Sequence, residues 1–490
     1  MKGVKYTVGI AVALGLSLSA CSLAPHMKVP EVPAADTYKE IGPWTRAQPS
    51  DQLPRDNWWA LYQSTELDEL EKRLISGNPT LAAAVANYAQ ARALSDQARA
   101  GLFPTLGVSA GASRNRESLN APLRSSSTYY DEATVGGTLS YEFDLWGQIR
   151  NEVAASKANA AASAADLENA RLFLIAQLVS DYVQLRSLDR ESRILGESVA
   201  AYTRALALTR QRHDAGISPG LDVSQAQTQL DATRSEASQT LAQRALMEHA
   251  IAALLGVSAS TFSIEPETVE INLPRIPSGI PSTLLERRPD IAAAQRRMIA
   301  ANANIGVARA AYFPSLTLAA QGGFESKGFA NWLSAPSSFW AIGPNALLSV
   351  LDGGLHRAQV AQARAEFDLS AANYRDTVVT AFQQVEDSLA QLNHYHDASV
   401  EEQAAVDDAQ RTLNYSMALY VQGATDYLTV VTSQTALLQT QLTALNLNTL
   451  QLLASVNLIR SLGGGWEKSD APALRWNKAV SHPAPGARQE

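Results

Sequence analysis

Residues 216–220 read Gly-Ile-Ser-Pro-Gly and match GxSxG, a pattern that presents a nucleophilic serine in many hydrolases. In those enzymes a strand precedes the serine and a helix follows it, which holds the hydroxyl at a sharp turn. Here helical patterns lie on both sides, so Pro219 and the two glycines indicate a reversal between helices. We therefore expect no hydrolase chemistry from Ser218.

Two further patterns have the composition of ligand sites. His394 and His396 are two residues apart on a predicted helix, so they point to different faces and make a poor metal pair. The glycines at 463–465 follow a predicted helix, whereas a phosphate-binding loop follows a strand and opens a helix. They predict a helix stop, and the histidines predict solvated positions. With no HExxH motif, phosphate-binding loop or catalytic triad in the sequence, we predict that the chain is not an enzyme and binds no metal.

The only cysteine, Cys21, directly follows an apolar run at 8–20 with a short basic start. The run is too short to cross about 30 Å of hydrocarbon and fits a secretory signal. It ends in Leu-Ser-Ala-Cys, which resembles a bacterial lipobox, although an ordinary signal peptide with an incidental cysteine is the alternative. We predict a signal peptide at 1–20 and a covalent N-terminal lipid on Cys21, with no other cofactor. Ser22 in place of aspartate at the next position favours transport to the outer membrane.

Composition narrows the class of protein further. The 490 residues carry 40 Lys and Arg against 48 Asp and Glu, a net charge of −8, with no basic block. Nucleic-acid binding is therefore not expected. Charged residues make up 18% of the chain, against about 25% in a typical soluble domain. That low fraction indicates large surfaces that do not face bulk water, and a single cysteine excludes internal disulfides.

The chain contains a tandem duplication. Phe-Pro-Thr-Leu at 103–106 recurs as Phe-Pro-Ser-Leu at 313–316, an offset of 210 residues. Gly216, Leu221 and the residues after them recur from Gly423 at an offset of 207. An ordered series of matches at a nearly constant offset predicts two copies of one structural unit.

Each copy combines short amphipathic strands with long helices. Residues 105–113 and 134–144 alternate apolar and polar side chains, which is typical of strands long enough to cross a bilayer at a tilt. In the second copy the apolar positions of the strands are Leu316, Leu318, Trp340, Ile342, Leu348 and Val350. Residues 145–213 contain no proline and predict a helix about 100 Å long, which must lie against neighbours as in a coiled coil. Shorter return helices are predicted at 221–255 and 426–462.

Four membrane-crossing strands per chain leave two sheet edges, and unpaired edges are not tolerated in lipid. One chain is too narrow to close a barrel with a lumen, so the sequence predicts a symmetric ring of several chains.

The sequence resembles the TolC-like outer-membrane factors, in particular the lipoprotein branch that includes NodT and OprM, over nearly all of the chain after the signal peptide. The resemblance is carried by the two Phe-Pro motifs, by Phe-Asp-Leu-Trp-Gly at 143–147, and by the segments 212–226, 285–290 and 462–466. It implies a mixed α and β membrane protein: a homotrimer with a twelve-stranded outer-membrane β-barrel, four strands per chain, continuous with a long periplasmic α-helical barrel.

The resemblance also implies a function and partners. Such a protein is the passive exit duct of a tripartite efflux system in a Gram-negative bacterium and exports drugs or other small molecules. It docks a periplasmic membrane-fusion adaptor and an inner-membrane pump, here expected to be driven by protons, and contacts outer-membrane lipid. The alternatives are a type I protein secretion duct and a structural periplasmic coiled-coil lipoprotein.

We divide the chain on these grounds into six segments. They are a signal peptide at 1–20, a proline-rich lipid-anchored tether and equatorial segment at 21–70, a first repeat at 71–256, an equatorial connector at 257–285, a second repeat at 286–463, and an equatorial or disordered tail at 464–490.

Two turns, at 214–222 and 423–429, interrupt the paired long helices and recur at the 207-residue offset. We predict that they are the periplasmic tips that dock the adaptor, although helix hairpins without a partner are the alternative. The tip residues are Gly216, Leu221, Asp222, Gly423 and Asp426.

The resemblance places a periplasmic gate just past the second turn. Leu428 matches a constricting leucine, and three copies around a three-fold axis would form an apolar plug. Thr432 stands where relatives often carry an aspartate, so it is expected to form only a weaker polar ring. The alternative is that Leu428 packs between helices.

Overall fold

The computed structural model describes residues 22–30, 38–40, 57–116, 118, 129–274, 288–327 and 331–464. The predicted signal peptide, Cys21 and the tail from residue 465 lie outside the described residues. Only residues 257–274 of the predicted connector are described.

The two halves of the described chain have the same order of elements, apart from an additional helix at the start of the first half. In the first half they are α1 (Thr65–Gly77), α2 (Pro79–Ala100), β1 (Thr105–Arg116), β2 (Tyr129–Glu142), α3 (Gln148–Asp214) and α4 (Gly220–Leu254). In the second half they are α5 (Pro289–Ala310), β3 (Ser315–Ser326), β4 (Ser338–Leu347), α6 (Leu355–Val421) and α7 (Tyr427–Ser461). Short 3-10 turns lie at Trp58–Tyr62, Ala259–Thr261 and Ala335–Ser337.

The element bounds confirm the duplication. Helices α2 and α5 both have 22 residues, α3 and α6 both have 67, and α4 and α7 both have 35. The first pair is offset by 210 residues and the other two pairs by 207, as the sequence motifs predict. Two copies of one sequence pattern have therefore folded into the same local structure.

The four strands form one antiparallel sheet in the order β1-β2-β3-β4. The central pair β2–β3 joins the two repeats, with Val135 opposite Phe324 and Tyr141 opposite Leu318. Among the described strands, β1 and β4 each have a single neighbour. The sheet therefore presents two edges.

Several predicted bounds are wrong by a few residues. Strand β2 ends before Phe143, because Asp144 accepts hydrogen bonds from the backbone N–H groups of Ile149 and Arg150 and so starts α3 at residue 148 instead of 145. Strand β4 excludes Leu348 and Val350, because its partner β3 begins at Ser315, directly after a proline that has no N–H to donate.

The described residues fall into two compact units, and each takes segments from both repeats. The first contains the sheet, α2, α5, residues 22–30 and the adjoining ends of α3 and α6. In this unit α3 and α5 approach closely through buried alanines, among them Ala155, Ala158, Ala300 and Ala303.

The second unit contains α1, α4, α7, residues 38–40 and the remaining parts of α3 and α6. The predicted helical stripes supply its core, with Leu185, Leu195, Val385 and Leu389 fully buried. Helix α7 is the one described helix that is long and apolar enough to cross a membrane, but half of its most apolar 18-residue stretch is buried inside the protein. It therefore packs as a core helix.

A buried charge cluster fixes the connector in the second unit. Asp189 accepts hydrogen bonds from the guanidinium groups of Arg186 at 2.7 Å and Arg244 at 2.5 Å. The same arginines donate to the carbonyl oxygens of Glu265 and Ile264 at 2.9 and 2.7 Å. The irregular backbone of the connector thus has charged hydrogen-bond partners in α3 and α4.

Glu71 of α1 is also fully buried, and neither of its carboxyl oxygens has a hydrogen-bond partner. Burial raises the pKa of this carboxyl group to about 9; Arg171 opposes this increase and Asp68 adds to it. The side chain is therefore protonated at neutral pH.

We predict that Glu71→Leu raises the thermal unfolding midpoint of the detergent-purified protein. The pKa of Glu71 in the native state lies above its ordinary value of 4.5. Between pH 4.5 and about pH 9 the native state therefore holds a proton that the unfolded state has lost, and the native state loses stability as the pH rises through this range. The gain from Glu71→Leu should therefore be larger at about pH 8 than at about pH 5. Calorimetry checks this, with Glu69→Leu on the exposed face of α1 as the control. An equal gain at both pH values would contradict the buried carboxyl.

Candidate functional site

Two turns, at 215–219 and 422–426, connect the long helices to their return helices. Gly216 and Gly423 have φ of 73° and 77°, the left-handed region that favours glycine. After α3, Gly216 donates its N–H to the carbonyl of His213 and Ile217 to that of Arg212, both at 2.8 Å. Gly423 and Ala424 make the equivalent bonds after α6. Both helices therefore end in a Schellman motif, and the second turn ends at Asp426, three residues before the predicted bound.

The return helices begin differently in the two repeats. Asp426 is exposed and caps α7, because its carboxylate accepts from the backbone N–H of Thr429 at 3.1 Å and from the Thr429 hydroxyl at 2.8 Å. These bonds hold the pKa of Asp426 below its ordinary value. At the start of α4 the preceding residue is Pro219, whose side chain offers no cap.

A cation–π contact joins the two hairpins beside these turns. The guanidinium carbon of Arg212, in α3, lies 4.8 Å from the centre of the Tyr420 ring, in α6, and one of its nitrogens donates to the carbonyl of Val421 at 3.2 Å. The ring of Tyr420 packs edge-on against Tyr427 of α7 at 5.2 Å. Tyr420 and Tyr427 belong to a buried apolar cluster with Tyr202 and others. The last turns of the helices are therefore held together by one cation and its aromatic neighbours.

Asp222 is not on the exposed surface expected of a docking residue, since only 8% of it is accessible. Burial raises the pKa of its carboxyl group, and Asp426 raises it further, whereas Arg212 lowers it. A lysine at this position would face Arg212 from a buried site. Charge reversal at Asp222 therefore tests the packing of the turn and not a docking surface.

Exposed apolar side chains mark the outside of the first turn. Ile217 and Leu221 are 65% and 64% accessible, far more than a leucine in a helix core. Of the predicted tip residues, Gly216, Leu221, Gly423 and Asp426 are exposed, and Asp222 is not.

The predicted gate residues share one face of α7. Leu428 is 53% accessible, so within one chain it does not pack between helices. Thr432 lies one turn later and is exposed, and its hydroxyl donates to the Leu428 carbonyl at 2.8 Å. The neighbouring Tyr427 and Val430 are buried on the opposite face. At the start of α7, the apolar side chain of Leu428 is thus exposed, and the neighbouring Thr432 hydroxyl is already hydrogen-bonded within the helix.

The geometry gives the enzyme-like patterns no catalytic arrangement. The ring nitrogen of His213 faces the carbonyl oxygen of Ser218 at 2.9 Å, while the Ser218 hydroxyl points to the Thr209 carbonyl at 3.5 Å. Gly463 and Gly464 follow α7 with positive φ, as a helix stop requires. His394 and His396 are both exposed on α6. Within the described ranges no three His, Cys, Asp or Glu side chains cluster as metal ligands would.

Sequence reasoning missed Arg212 and Tyr420. A signal was present, because at the 207-residue offset Arg212 corresponds to Leu419 and Tyr420 to His213. These neighbouring positions are where the two copies differ in chemistry, although the turns around them are alike.

A four-stranded sheet of amphipathic strands and paired helices of 67 and 35 residues define the class of protein. The profile of the outer membrane efflux protein family matches residues 70–257 and 280–464, so the chain belongs to that family. It is an outer-membrane protein of an efflux system, which confirms the expected family, location and broad function.

Particular relatives match over almost their whole length. The toluene efflux pump outer membrane protein TtgF of Pseudomonas putida is 28% identical over 473 residues, which are 95% of this chain and 98% of TtgF. The pyoverdine export outer membrane protein OpmQ of Pseudomonas aeruginosa is 31% identical over 466 residues, 94% and 97% of the two chains. The crystal structure of the Campylobacter jejuni CmeC outer membrane channel superimposes with a TM-score of 0.86 at 26% identity, covering 92% of this chain and 96% of CmeC.

We predict that Arg212→Ala loosens the link between the hairpins. It removes a cation–π contact and a hydrogen bond, together worth about 1–3 kcal/mol, so amide exchange in residues 418–428 should accelerate by roughly 10- to 100-fold. The control is Arg210→Ala, since Arg210 is exposed and contacts only Gln227 of the same hairpin among the described bonds. Unchanged exchange in Arg212→Ala would show that the apolar cluster alone holds the turns together.

Proposed function

We propose that three copies of the chain close a twelve-stranded barrel in the outer membrane. The observation that carries this proposal is the pair of open edges at β1 and β4. Leu106 and Val108 on β1, and Trp340 and Ile342 on β4, are 63–80% accessible, as lipid-facing side chains would be. In hydrocarbon the backbone groups of both edges need partners, and a neighbouring copy supplies them.

The assembled protein is the passive exit duct of a tripartite efflux system. It works with a periplasmic membrane-fusion adaptor and an inner-membrane pump that uses the proton gradient. The names of TtgF and OpmQ, which refer to toluene efflux and pyoverdine export, support small organic molecules as the exported class.

Cys21 is the acylated amino terminus in this proposal and is an additional anchor beside the barrel. One or two acyl chains bind a membrane far more weakly than a spanning structure does. Mass spectrometry of the mature amino-terminal peptide should find a lipid on Cys21. Because the barrel is the stronger anchor, a Cys21→Ala variant behind a cleavable signal should still insert. An unmodified Cys21 would refute the lipid anchor and leave the duct intact.

The adaptor docks at the exposed turns. We predict that Leu221→Asp abolishes efflux of a toxic organic substrate, because a carboxylate would replace an exposed apolar contact. Growth inhibition of complemented cells measures efflux, and migration with and without heating measures the trimer. Thr228→Asp, exposed two turns later on α4, is the control. Loss of the trimer band in Leu221→Asp would make this residue structural, and full efflux in this variant would exclude docking at this leucine.

Leu428 closes the duct at its periplasmic end. We predict that Leu428→Ser raises single-channel conductance or open time in planar bilayers, because a polar side chain admits water to an apolar constriction. Thr432→Ala is the matched control one turn away, and it should change conductance little. Unchanged conductance in Leu428→Ser, with opening in Thr432→Ala, would reverse the assignment.

A further inference from the structure

The segment that follows the predicted lipidation site is held by its backbone in the first unit. Asn302 of α5 donates its side-chain amide to the carbonyl oxygen of Pro25 at 2.9 Å. Arg309 of the same helix donates to the carbonyl oxygen of Leu23 at 3.1 Å. Two carbonyls of an irregular segment thus have polar partners on one helix.

Helix α3 supplies the opposite side of this groove. The Ser22 hydroxyl donates to the side-chain oxygen of Asn151 at 2.9 Å and accepts the backbone N–H of Ala24 at 3.3 Å. Asn151 is 5% accessible and belongs to the first turn of α3. A buried amide oxygen therefore has Ser22 as its partner.

Gly306 makes room for the segment. A Cβ atom at this position would lie 2.5 Å from the amide nitrogen of Asn151 and 2.9 Å from the backbone nitrogen of Ala24. Both distances are below ordinary contact. Any other residue at 306 would therefore displace Asn151, Ala24 or both.

The order of the contacts gives the segment a direction. Asn302, Gly306 and Arg309 lie on one face of α5, at the i, i+4 and i+7 spacing of a helix. Their partners run the opposite way along the chain, from Pro25 through Ala24 to Leu23. The segment is antiparallel to α5, so it approaches the start of β3 as it approaches its own amino end.

The duplicated copy lacks this groove. At the repeat offsets, Asn302 corresponds to Arg92 and Gly306 to Asp96, and both of these are exposed on α2. Asn151 corresponds to Ala358. Arg309 has an identical counterpart, Arg99, so the two asparagines and the glycine distinguish the surface that binds the segment.

We propose that the groove between α3 and α5 is a binding site for the mature amino-terminal segment, residues 22–25. Asn151, Asn302 and Arg309 are its positioning residues, and Gly306 provides the space. Residues 22–25 run antiparallel to α5, so the amino end of this segment faces the start of β3, and an acyl group attached ahead of Ser22 would lie on the side of the strands. The orientation of the anchor rests on the proposed lipidation, whereas the binding of residues 22–25 does not.

A nitroxide at His26→Cys reports this binding, because His26 is exposed and directly follows the held segment. In the full-length protein the nitroxide should be immobilised. Gly306→Val should shorten its rotational correlation time at least about threefold, because the valine expels Ala24. Asn302→Ala removes one bond without a clash and should have a smaller effect in the same direction.

Asp96→Val on α2 is the matched control, since it places the same side chain at the equivalent position, which is exposed among the described residues. Each spectrum is recorded with Cys21 acylated and again with Cys21→Ala behind a cleavable signal. Immobilisation in both forms, lost only in the groove variants, is the expected result. A nitroxide that stays immobile in Gly306→Val, or is mobile without the lipid, would overturn the binding site. An unacylated Cys21 with an intact mobility difference would refute only the lipid anchor.

Discussion

Backbone N–H and C=O groups that face hydrocarbon must be paired within protein, because no water reaches them. The sheet of this chain satisfies that rule for its inner strands and leaves it unmet at β1 and β4. Side-chain substitution cannot remove a backbone edge, so only another strand can complete the sheet. The need for further copies of the chain follows from this requirement.

Duplication supplied two copies of the strand pair and of the helices from α2 onward, and the contacts described here lie where the copies differ. The turns at Gly216 and Gly423 share one backbone geometry, yet only one long helix carries the arginine that crosses to its partner. Helices α2 and α5 have equal lengths, yet only α5 has the glycine that admits the amino-terminal segment. The two repeats thus share one backbone structure, and single side chains give equivalent surfaces different contacts.

Motifs that recur at a nearly constant offset predicted the duplication. Periodicity predicted all four strands and the longest helices, because amphipathic repeats over ten or more residues are stronger than local exceptions. It misplaced the ends of β2 and β4, which depend on a helix cap at Asp144 and on a proline before β3. The sequence also named Asp222 as a docking-tip residue although its side chain is buried, since burial depends on which helix packs across it. Periodicity did not predict the groove that holds the amino-terminal segment. Asn151 lies on α3, and the other three residues of the groove lie on α5, more than 150 positions later in the sequence.

The contact at Arg212 is weak relative to the helices that it joins. A cation–π pair and one hydrogen bond are worth about 1–3 kcal/mol, whereas burying a single leucine stabilises by a similar amount and the paired helices bury many. The link therefore adds to the apolar cluster that already packs the two hairpins together, and an equilibrium biased by such a link shifts roughly 10- to 100-fold when the link is broken. Leu428 lies in the first turn of α7 beside Tyr427, which packs against Tyr420 on the same link. Arg212 is therefore connected to the first turn of α7, where Leu428 lies, through two aromatic rings and not through the length of a helix.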